Sequence, residues 1–382
     1  MNRFDRKAIF FMSNKAIKYR IYPTTKQCEL LQKTFGCCRK VYNLMLADKN
    51  AYYKETGKTL SCTPAQYKDK YSFLKEVDSS ALANVQMHLQ TAFTNFFSKR
   101  AEEPKFKSKK KAKKSYTTSR IKNNICIVEN GIKLPKVGII KAVIHRKASD
   151  EWILKSATLS QYSDGSYYVS VLYEYDEVAT KVPVSTNAIG LDYKSDGLYT
   201  DSNGNTANMP KFYRQSQKKL AKEQRKLSRK KGSCKNETKS KNYLKQQKKV
   251  AKLHRHITNQ RLDYLHKLTT EIANQYDVVC VEDLNMKAMS NKGFGNGKAT
   301  LDNGYGLFLQ LLEYKLLERG KYLVKVDKWY PSSQICSNCG RKHKLTLKDR
   351  VYVCECGLVI DRDYNAAINI LIEGLKVLMQ AA

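Results

Sequence analysis

Val278-Val279-Cys280-Val281-Glu282 is a run of four apolar residues that ends on a carboxylate, and Ala188-Ile189-Gly190-Leu191-Asp192 has the same build. Short uninterrupted apolar runs bounded by polar segments read as apolar strands, each ending on an acid. Helical patterns lie between and beyond them. One extends to Tyr276, another spans Asn303 to Gly320 ahead of a strand at Tyr322–Val326, and the last begins near Asn365 and runs through Leu378. Strands alternating with helices predict an α/β layer structure. A strand ending in Asp or Glu is most often just a strand reaching water. A third acid, Asp363, lies at the mouth of the last helix in Asp361-Arg362-Asp363-Tyr364-Asn365-Ala366-Ala367. Phosphodiester hydrolysis without a covalent intermediate uses about two divalent cations held ~4 Å apart by carboxylates, and Mg²⁺ prefers such hard oxygen ligands. Three acids on two strands and a helix start can converge on that chemistry; spacing alone leaves both readings open.

Working outward, 70 Lys and Arg face 35 acidic residues over 382 positions, a formal net charge of +35. A surplus that large repels itself in a compact chain, so a polyanionic partner is expected: nucleic acid first, an anionic membrane surface second. Residues 211–255 hold eighteen of those cations against Glu223 and Glu237 alone. With Leu220, Leu227, Leu244, Val250 and Leu253 as an apolar stripe, this segment reads as two long basic helices broken at Gly232-Ser233. A solvated helix face normally mixes signs to gain i,i+4 pairs, so this one predicts a surface that follows phosphates. Lys105 to Lys114 holds seven more lysines; a solvated loop and a phosphate contact are equal readings there.

The first hundred residues read as one strand, Ala16 to Ile21, followed by helices over 25–100. Ile17, Tyr19 and Ile21 alternate with Lys18 and Arg20, and Thr24 or Thr25 can cap the first helix. From Ile125 to Tyr175 the pattern is that of strands, with Asn130-Gly131 and Asp164-Gly165 as hairpin turns. An antiparallel barrel or sheet is expected, closed by the strand at 16–21. Tyr167 and Tyr168 can stack on bases but as strand residues favour packing. Residues 176–186 read as a linker. No run of about 18 apolar residues predicts a transmembrane helix, and the N-terminus does not read as a signal peptide.

Seven of the eleven cysteines, Cys28, Cys37, Cys38, Cys62, Cys126, Cys234 and Cys280, are irregularly scattered, which predicts reduced thiols in a cytoplasm. The other four form Cys336-x2-Cys339 and Cys354-x-Cys356, separated by fourteen residues. Two thiolate pairs joined by a short loop match one tetrahedral, structural Zn²⁺. Gly340 and Gly357 follow the second cysteine of each pair and permit the knuckle turn; His343 is a possible substitute ligand.

IGLD (189–192), VEDLNM (281–286), YPSSQICSNCG (330–340) and CGLVIDRDYNAAINI (356–370) together resemble the TnpB or OrfB proteins of bacterial insertion sequences, relatives of the compact type V CRISPR nucleases. The resemblance runs in order over about residues 17–378 and is most specific in its last two segments. It implies an α/β multidomain chain. An RNase H-like (RuvC) nuclease domain at 184–333 and 358–382 would be interrupted by a zinc-finger insertion at 334–357. An N-terminal β-barrel (wedge) domain at 14–24 and 101–176 would carry a helical recognition insertion at 25–100. It implies RNA-guided, Mg²⁺-dependent endonuclease action on double-stranded DNA. Asp192, Glu282 and Asp363 would hold two Mg²⁺, with Asp361 the alternative to Asp363, and Cys336, Cys339, Cys354 and Cys356 would hold Zn²⁺. Guide RNA and target DNA are the implied partners, with a monomer in a bacterial cytoplasm, nucleoid-associated, as the implied setting. The other readings are a compact type V CRISPR effector, a strand-joining transposase and an RNA-guided repressor; the last would lack one of the acids.

Overall fold

A computed structural model describes residues 10–178, 187–230, 239–289, 302–346 and 349–381. They fall into two compact units, Phe10–Glu177 and a second containing Val178–Ala382.

In the first unit, strand β1 (Phe10–Tyr22) leads into helices α1 (Thr25–Thr56) and α2 (Ser79–Phe97). Six strands follow: β2 (Lys114–Ser119), β3 (Cys126–Val128), β4 (Gly131–Leu134), β5 (Gly138–Val143), β6 (Ile153–Gln161) and β7 (Tyr167–Val178). They form one sheet in the order β2-β6-β7-β1-β5-β4-β3. β1 therefore occupies the middle of the sheet instead of closing it, and β2 and β3 are its edges. Ile17, Tyr19 and Ile21 are buried, Tyr19 completely, in the core that the sheet shares with the helices. β3 is only three residues long, and a short edge strand offers little ladder to an unwanted partner.

Thr24 and Gln27 close a reciprocal capping box at the start of α1, and the Gln27 amide also donates to the Ile139 carbonyl at 2.8 Å, tying helix to sheet. Asp78 caps α2 through the Ser80 N–H at 3.0 Å. Leu31, Met45, Leu82 and Leu89 of these helices share one core with the sheet. Of the expected turns, Asp164-Gly165 links β6 to β7 as read. Asn130-Gly131 is offset by one residue, because Gly131 already pairs with Val128 and leaves Glu129-Asn130 as the loop. Tyr167 packs inward, whereas Tyr168 lies on the other face with Lys18 and Arg20 over its ring at 5.1 and 6.0 Å. The lysine-rich run is anchored: Asn43 donates to the Lys107 carbonyl at 2.9 Å and accepts from its N–H at 2.8 Å. Most of the expected linker, from residue 179 to 186, lies outside the described residues.

The second unit is built on β8 (Ala188–Tyr193), β9 (Tyr199–Asp201), β10 (Thr206–Ala207), β11 (Val278–Glu282) and β12 (Tyr322–Val326), ordered β10-β9-β8-β11-β12. β8, β9 and β10 form an antiparallel meander; β11 pairs parallel with β8 and with β12. Val278 to Val281 are fully buried, as their unbroken apolar run requires. The helices are α3 (Phe212–Arg229), α4 (Lys241–Gln275), the single turn α5 (Met286–Met289), α6 (Tyr305–Leu317) and α7 (Arg362–Ala381). The expected break at Gly232-Ser233 falls outside the described residues. Along α4 the buried stripe is Tyr243, Gln246, Val250 and Ile257; Leu244, expected in it, is exposed, and its neighbour Tyr243 is the buried residue. α7 starts three residues before the expected Asn365, so Asp363 lies in its first turn.

Candidate active site and cysteine cluster

The parallel register decides where the first two acids stand. Leu191 pairs with Val281; Asp192 and Glu282 are each one residue farther on, abreast at the carboxyl ends of adjacent strands, a separation of about 4.8 Å between chains. Asp363 arrives from α7. That helix lies against β8 because Gly190 leaves room for it: a Cβ there would sit 2.2 Å from the Ala367 carbonyl oxygen and 2.8 Å from the Leu371 nitrogen. Farther along, a Cβ on Gly374 would meet the Cys280 sulfur at 2.4 Å. One helix thus rests on both acid-bearing strands through two glycines and two buried alanines, Ala366 and Ala367.

The three carboxylates share one electrostatic environment. Burial pushes the Asp192 carboxyl well above its usual range, and the charges of Glu282 and then Asp363 push it the same way, against Arg362. Burial also raises Glu282, opposed by the Ser332 hydroxyl, which donates to Glu282 Oε1 at 2.6 Å. Asp363 accepts from Arg362 at 3.2 Å and has Lys194 at 3.9 Å. Asp361, the alternative ligand, caps α7 through one oxygen: its Oδ1 accepts the N–H groups of Asp363 and Tyr364 at 2.9 and 3.0 Å, while its charge adds to those that raise Asp192. The fully buried Tyr305 adds a phenol oxygen with no hydrogen-bond partner among the described residues, raised by burial and then by Asp192 and Glu282. A half-buried carboxyl raised by its own burial and by the charges of two neighbouring carboxylates belongs to a donor set that fits hard divalent cations. Sequence reading missed Ser332, Lys194, Tyr305 and Arg362; of these only Arg362, between Asp361 and Asp363, stands next to a predicted site residue in the chain.

The four C-terminal cysteine sulfurs all lie within 4.8 Å of one another, with Cys336 3.6 Å from Cys356 and Cys339 3.5 Å from Cys354. Four ligands at the Zn–S bond length of about 2.3 Å stand ~3.8 Å apart around a tetrahedron, so the tighter C-x-C half closes the set as well as the C-x2-C half. Gly340 (φ 75°) and Gly357 (φ 89°) make the two knuckles. His343 is not a fifth member of the cluster; its Nε2 lies 3.4 Å from the Cys354 sulfur as a hydrogen-bond partner. A hairpin of β13 (Val351–Val353) and β14 (Val359–Asp361) carries the second pair and runs directly into α7.

The basic helices α3 and α4 pack on each other around Glu223, which accepts from Gln246 at 2.7 Å and from Lys226 at 3.1 Å; these bonds hold its carboxyl down to about 2. The one described acid of this stretch is therefore spent between the helices, and Lys218, Lys222, Arg225, Arg229, Lys245 and Lys248 are exposed.

Three segments match family models: residues 170–293 the IS605 OrfB model described as "Probable transposase", residues 305–370 a "Cas12f1-like, TNB domain", and residues 12–58 a "Helix-turn-helix domain" of the same OrfB group. The last segment folds here as β1 and the single helix α1. A Streptomyces pristinaespiralis protein named "Putative RNA-guided DNA endonuclease" is 37% identical over 374 residues, covering 94% of this chain and 89% of that one. Escherichia coli K12 "Putative RNA-guided DNA endonuclease InsQ" is 32% identical, covering 95% and 93%. A Cas12f1 chain solved by cryo-EM in an "sgRNA-target DNA complex" has the same fold, with a TM-score of 0.58 at 13% identity over 94% of this chain and 98% of that one.

Proposed function

This chain belongs to the IS605 OrfB, TnpB-like family of its full-length relatives, and from that premise we propose that it is an RNA-guided DNA endonuclease whose cutting site is Asp192, Glu282 and Asp363. The observation that carries this reading is the register that sets Asp192 beside Glu282 while α7 brings Asp363 to the same strand ends. A sheet of three antiparallel strands followed by two parallel to the first supports an RNase H-like (RuvC) core, with the cysteine finger inserted before its last helix. The first unit corresponds in this reading to the wedge sheet with its helical insertion.

The three carboxylates would hold Mg²⁺, which when bound supplies charge stabilisation to the attacking and leaving oxygens of a phosphodiester. The chain's own part is to hold the acids at fixed spacing on strand ends and a helix start. Ser332 fixes one oxygen of Glu282. Lys194 and Arg362 offset part of the negative charge of Asp363 and leave cations at the site for an incoming phosphate. The four cysteines would hold one structural Zn²⁺, with no position left for a substrate. Sequence would be read by base pairing to the guide, while exposed cations of α3 and α4 follow the backbone.

Purification with co-bound RNA, sequencing of that RNA, and incubation with a matched plasmid and Mg²⁺ test the proposal. Cleavage should occur with wild type and vanish in Asp192→Ala, which should retain RNA. Cleavage by Asp192→Ala at the wild-type rate would exclude this site.

A further inference from the structure

We propose that Ser332 is a positioning residue for Glu282, and that residues 332–337 make the site's hold on its cation depend on the folded cysteine finger. The proposal rests on the cation-site reading above.

Ser332 is 5% exposed and lies at the start of a short turn after Pro331. Its hydroxyl donates to Glu282 Oε1 at 2.6 Å across 50 residues of sequence. That bond leaves Oε2 as the oxygen free for a ligand. Without it, the terminal torsion of a glutamate is broad and the two oxygens exchange. Ser332 is itself held: the amide of Asn369 donates to its carbonyl at 2.8 Å and to the Ile335 carbonyl at 2.7 Å. One turn earlier on α7, Asn365 donates to the Ile335 carbonyl at 2.7 Å and accepts the Ser337 N–H at 3.0 Å. Both asparagines are buried. Ile335 is followed by Cys336, the first sulfur of the cluster. The same strap is gripped from the finger side, where the His343 N–H donates to the Gln334 carbonyl at 2.8 Å and the Tyr352 hydroxyl to it at 3.2 Å. Glu282, Ser332, Asn369 and Cys336 are thus joined through one six-residue segment. An anchor for the finger would need only the asparagines and backbone; the hydroxyl aimed at a carboxylate does something more. Partners that orient a metal-binding group change metal affinity by about 10–100-fold when removed.

The test uses Mn²⁺ alone as probe, with calorimetric titration of the full chain after removal of Mg²⁺, and zinc content measured in parallel. Ser332→Ala should weaken Mn²⁺ binding by about tenfold or more with zinc content unchanged. The isosteric pair Ser332→Thr and Ser332→Val differs only in the hydroxyl: Thr should stay within about threefold of wild type and Val should match Ala. This pair decides the question if Ala alone perturbs folding. Removing zinc with a chelator that is then dialysed away should weaken Mn²⁺ binding of the wild type about tenfold, but of Ser332→Ala by less than about threefold, because the two changes act through one strap. Wild-type Mn²⁺ affinity in Ser332→Val would overturn the positioning role, and an affinity indifferent to zinc would overturn the coupling. Asp192→Ala separates these from the premise: it should lose Mn²⁺ binding, and if it does not, the cation-site reading itself fails.

Discussion

On the proposed reading, Asp192 costs the cation-free fold stability and serves the bound cation. Its carboxyl is raised by burial first and by Glu282 and Asp363 next, so the folded chain holds a proton that the unfolded chain releases. Between the unfolded value and the raised folded one, stability therefore falls as pH rises. In the absence of divalent cations at pH 7.5, Asp192→Asn should raise stability by about 1 kcal/mol and the melting temperature by ~2–4 °C, while cleavage is lost. The advantage should vanish at pH 4 and shrink when Mg²⁺ stabilises the wild type. Thermal melts at the two pH values, with and without Mg²⁺, check this; a variant less stable at pH 7.5 would mean the acids are already compensated. Lys315 shows the opposite sign. Burial, then Arg319, hold its ammonium down to about 8. It donates to the His266 carbonyl and to the hydroxyls of Thr269 and Thr270 at 2.6–2.8 Å, pinning α6 to α4. Here the unfolded chain binds the proton more tightly, so wild-type stability should rise from about pH 8 toward 10.5. Denaturant unfolding across that window should show a wild-type gain over Lys315→Met of at most about 1.4 kcal/mol per pH unit, the limit for a single proton. Parallel curves would exclude the buried ammonium as their cause.

At the scale of the element, the decisive contact is α7 against β8. Gly190→Ala would drive a methyl group into the Ala367 carbonyl and the Leu371 nitrogen, which are backbone atoms of a rigid helix and cannot turn aside. The expected cost is about 1–3 kcal/mol or more, with displacement of Asp363 and therefore loss of cleavage out of proportion to the lost stability. Chemical denaturation beside a cleavage assay reads both; a variant with wild-type stability and rate would show that α7 does not need this approach. The elements themselves were legible because of how they are buried. β8 and β11, covered on both faces, leave an unbroken apolar run with the acid at its end. The start of α7 was misread because Asn365 is itself a good capping residue, while the cap in use is Asp361, whose side chain reaches the Asp363 and Tyr364 N–H groups. The position of β1 was not legible: a period of two names the buried face and is silent on which strands lie to either side. The link from Asn369 through Ser332 to Glu282 was hidden for a related reason, since Pro331-Ser332-Ser333-Gln334 reads locally as a polar turn and its partners lie 37 and 50 residues away.

Across the whole molecule the dominant fact is the charge of +35, and its use depends on where the few acids went. Three gather at the candidate site and Glu223 is enclosed between α3 and α4, which leaves α3 and the first part of α4, as far as Arg255, with exposed cations and no exposed acid among the described residues. Such a surface costs the free chain self-repulsion and returns it on binding a polyanion as released counterions. The affinity for co-purified RNA should therefore fall linearly in log–log form with salt. Replacing Lys218, Lys222, Arg225 and Arg229 by Gln removes up to four phosphate contacts, and the slope should drop by about 0.7–0.9 for each contact made. All four side chains are exposed, so stability should change by no more than about 0.5 kcal/mol per substitution. The slope is the discriminating quantity, because a fold defect lowers affinity at every salt concentration alike whereas a lost phosphate contact flattens the line. Filter binding from 50 to 500 mM KCl, on the order of a tenfold range over which counterion release is resolved, would show which occurs. An unchanged slope in the fourfold variant would remove α3 from the nucleic-acid surface and leave the sheet of the first unit, where Lys18 and Arg20 lie over Tyr168, to carry the contact.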